Sequence, residues 1–225
     1  MKIAVLGTGM VGRALAARLS GLGHDVTIGT RDPQSTLSRT DPDGMGNPAY
    51  SAWSTAHPEV GLSTFSDAAA GAELVVNATN GSAAVPALEQ AGADHLADKV
   101  LVDISNPLDF SKGFPPTLFV KDTDSLGEQI QRAFPRTRVV KTLNTLNADL
   151  MVHPGTLGAE SSVFVSGDDA AAKATVTELL ESFGHTDVID LGDISTARGP
   201  EMYLPIWLGL MGALGTAAFN VKVVR

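Results

Sequence analysis

The chain contains no cysteine among its 225 residues. That excludes a disulfide framework, thiolate chemistry and zinc sites built on cysteine pairs. Histidine is nearly as sparse: His24, His57, His95, His153 and His185 follow no metal-ligand spacing, so each reads as a turn or surface residue and no metal is expected. No Ser, Thr or Lys stands beside a paired base, and no catalytic set is read from the chain. Basic residues are in deficit, 16 against 25 acidic, for a net charge of −9. Without a basic stripe to neutralise phosphodiesters, nucleic acid is not an expected partner. The apolar run after Lys2 is only four residues, Ile3 to Leu6, before Gly7 breaks it. It is too short for a signal-peptide core, which points to a cytoplasmic protein.

What the chain does carry is concentrated at its start. Ile3-Ala-Val-Leu6 reads as a buried parallel strand. Gly7-Thr8-Gly9-Met10-Val11-Gly12 then leads into Arg13 to Leu22, where Leu15, Leu19 and Leu22 recur at helical spacing. Gly23-His24 ends that helix, and Asp25 to Gly29 forms the second strand. A glycine pattern of this kind has meaning only between a strand and a helix, and that context is present. There Gly7 makes the tight turn, Gly9 admits a pyrophosphate and Gly12 lets helix and strand pack closely, while the helix N-terminus offers free N–H groups to phosphates. The second strand ends in Thr30-Arg31, where an NAD site carries an acidic residue. A hydroxyl and a guanidinium suit the 2′-phosphate of NADP instead. Asp32-Pro33 fits a helix N-cap followed by proline at the first helical position.

Residues 34–58 are irregular, with Asp41 to Pro48 dense in turn formers and a short helix over Pro48 to His57. This stretch either partly covers the cofactor or is a solvated insertion pinned by Trp53. Beta-alpha alternation then resumes, with strands at Val60–Phe65, Glu73–Thr79, Lys99–Ile104 and Arg138–Leu143. Helices are expected at Ser66–Gly71, Ser82–Leu96 and Ser125–Phe134, and 109–123 is read as irregular. Strand Ser162–Ser166, helix Ala170–Phe183 and strand Thr186–Leu191 follow. The expected fold is α/β: a Rossmann-type, doubly wound, mostly parallel sheet in one domain over 1–225. Three strand ends offer neutral amides and hydroxyls: Asn77 and Thr79, Asn106, then Asn144 and Asn147. Asn80-Gly81 is a turn or a nicotinamide contact, and Asn106 shares its edge. Met202 to Phe219 holds no charged residue. Pro205 and Gly209, Gly212 and Gly215 favour a C-terminal helical extension, about 199–219, buried in a dimer interface over a membrane helix. Asn220–Arg225 would suit a closing strand.

The glycine turn, Gly23-His24, Gly29-Thr-Arg31, the stretch Lys141-Thr-Leu-Asn-Thr-Leu-Asn147, Gly167-Asp-Asp169 and the apolar C-terminal helix together resemble the coenzyme F420-dependent NADP oxidoreductases. The likeness spans nearly the whole chain and is strongest before residue 32. It implies a small homodimer that passes a hydride between NADP(H) and the deazaflavin. It also implies that Thr8, Gly9, Met10, Val11, Thr30 and Arg31 hold the cofactor's phosphates, and that Ala78, Thr79 and Asn80 approach its nicotinamide. Two departures concern the acceptor: Thr79-Asn80-Gly81 stands where archaeal members have an apolar residue and proline, and Asn144 where a histidine often lies. The 34–58 insertion has no counterpart in those shorter members. Hydride transfer between two bound rings needs proximity more than an acid or base. The chain is therefore read as an NADPH-dependent reductase of F420, a flavin, a quinone or another flat acceptor whose carbonyl edge Asn144 and Asn147 would bind. A non-enzymatic NADP(H) sensor is the other class.

Overall fold

The computed structural model describes residues 1–42 and 46–225. The first unit runs as expected: β1 (Lys2–Leu6), α1 (Met10–Gly21) and β2 (Asp25–Thr30). The helix starts three residues earlier than Arg13, because it begins directly on the glycine turn with Gly9 as N-cap. Asp32 caps α2 (Pro33–Ser38), its carboxylate accepting from the Ser35 amide at 3.0 Å, with Pro33 at the first helical position. So the irregular stretch holds two short helices, α2 and α3 (Tyr50–Ala56). The middle of the turn-rich 41–48 segment, residues 43–45, lies outside the described residues.

Then come β3 (Gly61–Thr64), α4 (Phe65–Gly71), β4 (Leu74–Asn77), α5 (Gly81–Ala91), α6 (Ala93–Leu96) and β5 (Val100–Asp103). Phe65 belongs to α4 and not to the strand, since the Thr64 side chain caps the helix by accepting from the Asp67 amide. The single helix expected over Ser82–Leu96 is two, broken where Gly92 takes φ +94°, a conformation glycine adopts freely. Residues read as irregular include a small hairpin, β6 (Leu108–Asp109) with β7 (Thr117–Leu118). The chain continues through α7 (Leu126–Ala133), β8 (Arg138–Thr142), α8 (Ala148–Val152), β9 (Ser162–Ser166), α9 (Ala170–Phe183), β10 (Asp187–Gly192), α10 (Arg198–Met202) and α11 (Leu204–Leu214).

One eight-stranded sheet, in the order β10-β9-β8-β5-β4-β1-β2-β3, takes every strand but the hairpin. All its neighbours are parallel except β8 and β9. Alternation along β1 sends Ile3 and Val5 to one face and Ala4 and Leu6 to the other. The first face buries Leu15 of α1, Tyr50 of α3, Leu150 of α8 and Leu179 of α9; the second buries Phe65 of α4, Leu88 of α5 and Ile130 of α7. Helices thus cover both faces, as a parallel sheet requires. The chain winds outward from β1 to β3, returns to β4 beside β1 and winds the other way. The reversal leaves a crevice at the carboxyl ends of β1 and β4, where such sheets bind ligands.

The closing strand expected over Asn220–Arg225 does not form. Ser162 donates its amide to the Val221 carbonyl at 2.8 Å, but its side chain takes the Val223 amide, which interrupts a ladder after one rung. Asp187 instead anchors the tail through Lys222 and Arg225.

Close approach of backbones fixes the crevice. A Cβ on Gly81 would meet the Asn106 carbonyl at 1.9 Å, whereas one on Gly21 would meet nothing within 4 Å. Gly81→Ala is expected to cost about 1–3 kcal/mol through overpacking, and Gly21→Ala to be neutral or slightly stabilising; urea unfolding midpoints check the contrast.

Candidate dinucleotide site

Gly7 sits at φ +121°, and a Cβ there would meet the Ala78 carbonyl at 2.6 Å. A Cβ on Gly12 would come to 2.1 Å from the Gly7 carbonyl, so this glycine packs the helix against the turn itself. Gly9 differs: among the described residues nothing lies within 4 Å of its Cβ position. It faces open space at the start of a 12-residue helix that has no side-chain cap and no acidic residue in its first turn. Free N–H groups and the positive end of the helix dipole therefore point where an anion can sit.

A groove of about 640 Å³ runs from this point. It brings together Gly7, Thr8, Gly9, Thr30, Arg31, Ala78, Thr79 and Asn80 of the expected residues. Met10 is exposed and Val11 half-buried at the start of α1, and Gly12 is buried in the turn. The groove also includes Asp32, Ser35, Thr36 and Arg39 at the β2 end, and Phe65, Ala83, Pro86, Ala87 and Gln90 along its wall. Among the described residues Arg31 forms no ion pair, and Arg39 makes a hydrogen bond to the Thr36 hydroxyl at 3.2 Å. The Thr30 hydroxyl is buried and paired with that of Thr36 at 2.9 Å. Thr30 thus orients Thr36 and Arg39 from below. Ser35, Thr36 and Arg39 fall in the stretch the sequence presents as irregular, which here holds α2. The Asp32-Pro33 cap was the signal, since a helix starting there places its first and second turns beside the strand end.

The insertion is tied to the glycine turn. Arg13, buried, donates from Nε to the Thr8 carbonyl at 3.0 Å and from Nη1 to the Pro48 carbonyl at 2.6 Å. Tyr50 packs below, its hydroxyl buried without a partner among the described residues, and burial pushes its pKa up to about 12 against the opposing influence of Arg13. Trp53 lies against both Tyr50 and His57.

At the other end of the groove the strand ends carry a connected polar network. Asn77 donates to Asp103 at 2.8 Å and accepts the Thr79 hydroxyl at 2.7 Å. Asp103 also takes the Ser105 hydroxyl and meets Lys141 at 2.8 Å. Lys141, with no exposed side-chain surface, reaches Glu201 at 2.9 Å and donates to the Ser105 carbonyl. Burial opposes its charge, but the Asp103 and Glu201 carboxylates prevail and hold its pKa above the ordinary lysine value. The sequence presented Lys141 only as part of a motif; its partners lie 38 and 60 positions away along the chain, beyond any local pattern.

The amides expected to meet an acceptor lie deeper than that reading requires. Asn106 and Asn144 bond to each other twice, Asn106 Nδ2 to the Asn144 carbonyl at 2.9 Å and Asn144 Nδ2 to Asn106 Oδ1 at 3.0 Å. Asn144 also donates to the Pro200 carbonyl at 3.0 Å, so both its amide hydrogens are engaged and its side chain is buried. Asn147 caps α8 by accepting from the Leu150 amide and donates to the Ala217 carbonyl. Both therefore brace the C-terminal segment instead of presenting donors to solvent. Asn80 caps α5, its Oδ1 accepting from the Ser82 amide and hydroxyl, which leaves its amide nitrogen at the groove.

Comparison with known proteins agrees with this geometry. The family model described as NADP oxidoreductase coenzyme F420-dependent matches residues 2–107. A crystal structure from Arthrobacter sp. FB24, assigned as an F420-dependent NADP-reductase, superposes with a TM-score of 0.97 at 65% identity over the whole of both chains. The chain belongs to the coenzyme F420-dependent NADP oxidoreductase family. The F420-dependent NADP reductase of Methanothermobacter thermautotrophicus is 27% identical over 216 residues, which cover 93% of this chain and 89% of that one. Metalloreductase STEAP3 of Rattus norvegicus is 30% identical over 210 residues, but the chain spans only 38% of that longer protein. The eight-stranded Rossmann-type sheet is common ground for the family fold.

Two guanidinium groups at the β2 end imply a preference for a 2′-phosphorylated dinucleotide. Removing a charge-assisted bond costs about 1.5–3 kcal/mol, or roughly ten- to a hundredfold in affinity. Arg31→Ala and Arg39→Ala are each expected to weaken NADPH by that range while changing NADH little, as read by calorimetric titration.

Proposed function

We propose that the protein transfers a hydride between NADP(H) and coenzyme F420, with the dinucleotide laid along the groove. The observation that carries this reading is the uncapped, acid-free N-terminus of α1, opening on a groove whose far end holds Arg31 and Arg39. The residues fit the cofactor. Thr8, Gly9, Met10 and Val11 would hold the pyrophosphate; Thr30, Arg31, Ser35 and Arg39 the 2′-phosphate; and Ala78, Thr79, Asn80 and Asn106 the nicotinamide half.

When bound, NADPH would supply the hydride for reduction of a deazaflavin, which also takes up a proton. The chain's own contribution is placement. The glycine turn and helix dipole fix the phosphates, and the locked backbones of β1, β4 and β5 fix the floor. The Asn106–Asn144 pair connects that floor to the segment opposite. Positioning of this kind can supply about 7–11 kcal/mol of a transfer barrier without an acid or base. Residues 1–225 act in this reading as one NADP-binding unit, in the cytoplasm, where reduced nicotinamide is found. No helix among the described residues is long and apolar enough to cross a membrane.

The homodimer is part of the same proposal. In the protomer α11 fully buries only Leu204 and half-buries Trp207, Leu208, Leu210 and Met211, while Ile206 and Leu214 are 58% and 57% exposed. A Cβ on Gly209 or Gly212 would meet nothing within 4 Å of its own chain. A contiguous apolar helix left open in this way marks an interaction site, and a second copy presenting the same helix would cover it.

Two measurements test the reading. Purified protein with NADPH should bleach the deazaflavin absorbance of F420; bleaching of a flavin or quinone but not F420 would keep the reductase and change the acceptor. Light scattering should give a dimer, and Gly212→Leu, harmless within the protomer, should shift it towards monomer. A monomeric wild type would remove the interface.

A further inference from the structure

Lys141 has no exposed side-chain surface and touches no part of the groove. Taking an ammonium group out of water is costly, and apolar residues of similar volume often serve stability as well as a buried ion pair does. The burial therefore invites the question of what the charge achieves there.

Its partners supply the answer. Asn77, Asp103 and Lys141 belong to adjacent sheet strands β4, β5 and β8, and their positions are fixed by the ladder. Glu201 is the member from outside the sheet: it lies in α10, three residues before α11 begins. Its carboxylate also accepts the Leu126 amide at 2.7 Å and the Gly127 amide at 3.0 Å, at the N-terminus of α7. One cation and a helix N-terminus thus balance two carboxylates. The residue before it, Pro200, is held by Asn144, which is bonded to Asn106. Two polar threads, Thr79–Asn77–Asp103–Lys141–Glu201 and Asn106–Asn144–Pro200, therefore run from the crevice floor to adjacent residues of α10. Packing beyond that point is partial: α11 fully buries only Leu204, half-buries Trp207, Leu208, Leu210 and Met211, and stacks Trp207 on Phe219.

We propose that Lys141 is a positioning residue for hydride transfer: joined to Asp103 and Glu201, it sets the height and angle of the C-terminal helical segment over the Thr79 and Asn106 floor, and so the space in which a flat acceptor meets the nicotinamide. This rests on the reductase reading. The ion pair acts as a register pin, a use attested for buried charges elsewhere. Misplacement by about 1 Å at a reacting centre costs on the order of a hundredfold in rate.

The test uses the full-length protein and the Lys141→Met variant, with Glu201→Gln as the second variant if the first does not fold. NADPH Kd is expected to stay within about twofold, since the phosphate contacts are remote. With F420 as acceptor, KM should rise and kcat fall by roughly ten- to a hundredfold, and the primary isotope effect with 4-deuterated NADPH should increase as the chemical step slows. Amide hydrogen exchange should rise across residues 198–214 and remain unchanged in β4 and β5. A merely structural role would leave kcat, KM and the isotope effect of the folded variant at wild-type values, which would overturn the proposal even if exchange rose. Failure of the wild type to reduce F420, flavin or quinone would instead remove the reductase reading and the proposal with it.

Discussion

The binding edge of this protein exists because three backbone segments approach one another more closely than any side chain would permit. Gly7 lies under the Ala78 carbonyl, Gly12 under the Gly7 carbonyl and Gly81 under the Asn106 carbonyl. Together these contacts lock the ends of β1, β4 and β5, the strands around the reversal in sheet order, into one surface. The arrangement spaces the N-termini of α1 and α5 side by side at the crevice. Gly9, adjacent to two of these contacts yet with nothing within 4 Å of its Cβ position among the described residues, is the position the proposed reading gives to the pyrophosphate. Steric closure and steric vacancy within six residues are what turn a strand-turn-helix unit into a phosphate site.

Most of the sheet was legible because buried parallel strands are apolar runs punctuated by glycine and Asx residues, and those signals are local. One cap was equally readable: Asp32 accepts the amide three residues on, as a capping side chain does, and Ser125 and Asp169 cap their helices in the same way without having been read as caps. Where the reading departed from the structure, the deciding contacts were distant or small. Nothing in Ser82–Leu96 distinguishes a helical glycine from one at φ +94° except the turn it must make. The tail strand failed on the hydroxyl of one residue, Ser162, which competes with the ladder. Asn106, Asn144 and Asn147 were recognised as a recurring set on the binding edge, yet a sequence cannot reveal whether an amide faces a ligand or another amide. Asn106 and Asn144 meet across 38 residues, and the contacts of Asn144 with Pro200 and of Asn147 with Ala217 depend on a return of the chain more than fifty residues later.

That return gives the polar network its meaning. A Rossmann-type sheet presents its ligand edge to solvent, and an acceptor needs a second wall. In the proposed reading that wall is the last 25 or so residues, which bury little beyond Pro200, Glu201 and Leu204. Hydrogen bonds and one buried ion cluster secure the segment at its entrance, Asn147 takes the Ala217 carbonyl near its far end, and Asp187 holds the terminal Lys222 and Arg225. The intervening helix is apolar and largely exposed in the protomer, which suits the proposed dimer. Fixed ends with an uncovered middle suit a wall completed by association.

The charge distribution places a further constraint on the dinucleotide. At a net charge of −9 the protein repels anionic ligands at long range, while Arg31, Arg39 and the α1 N-terminus attract them only within the groove. Ionic strength acts unequally on these two terms. The Debye length is about 8 Å at physiological salt, so repulsion from scattered surface carboxylates is largely screened, whereas contacts at hydrogen-bond distance in a partly enclosed groove are screened far less. On the proposed assignment, discrimination between phosphorylated and unphosphorylated dinucleotide would reside in a handful of short contacts at the β2 end, and the acidic remainder of the surface would set how fast the cofactor arrives more than how specifically it is held.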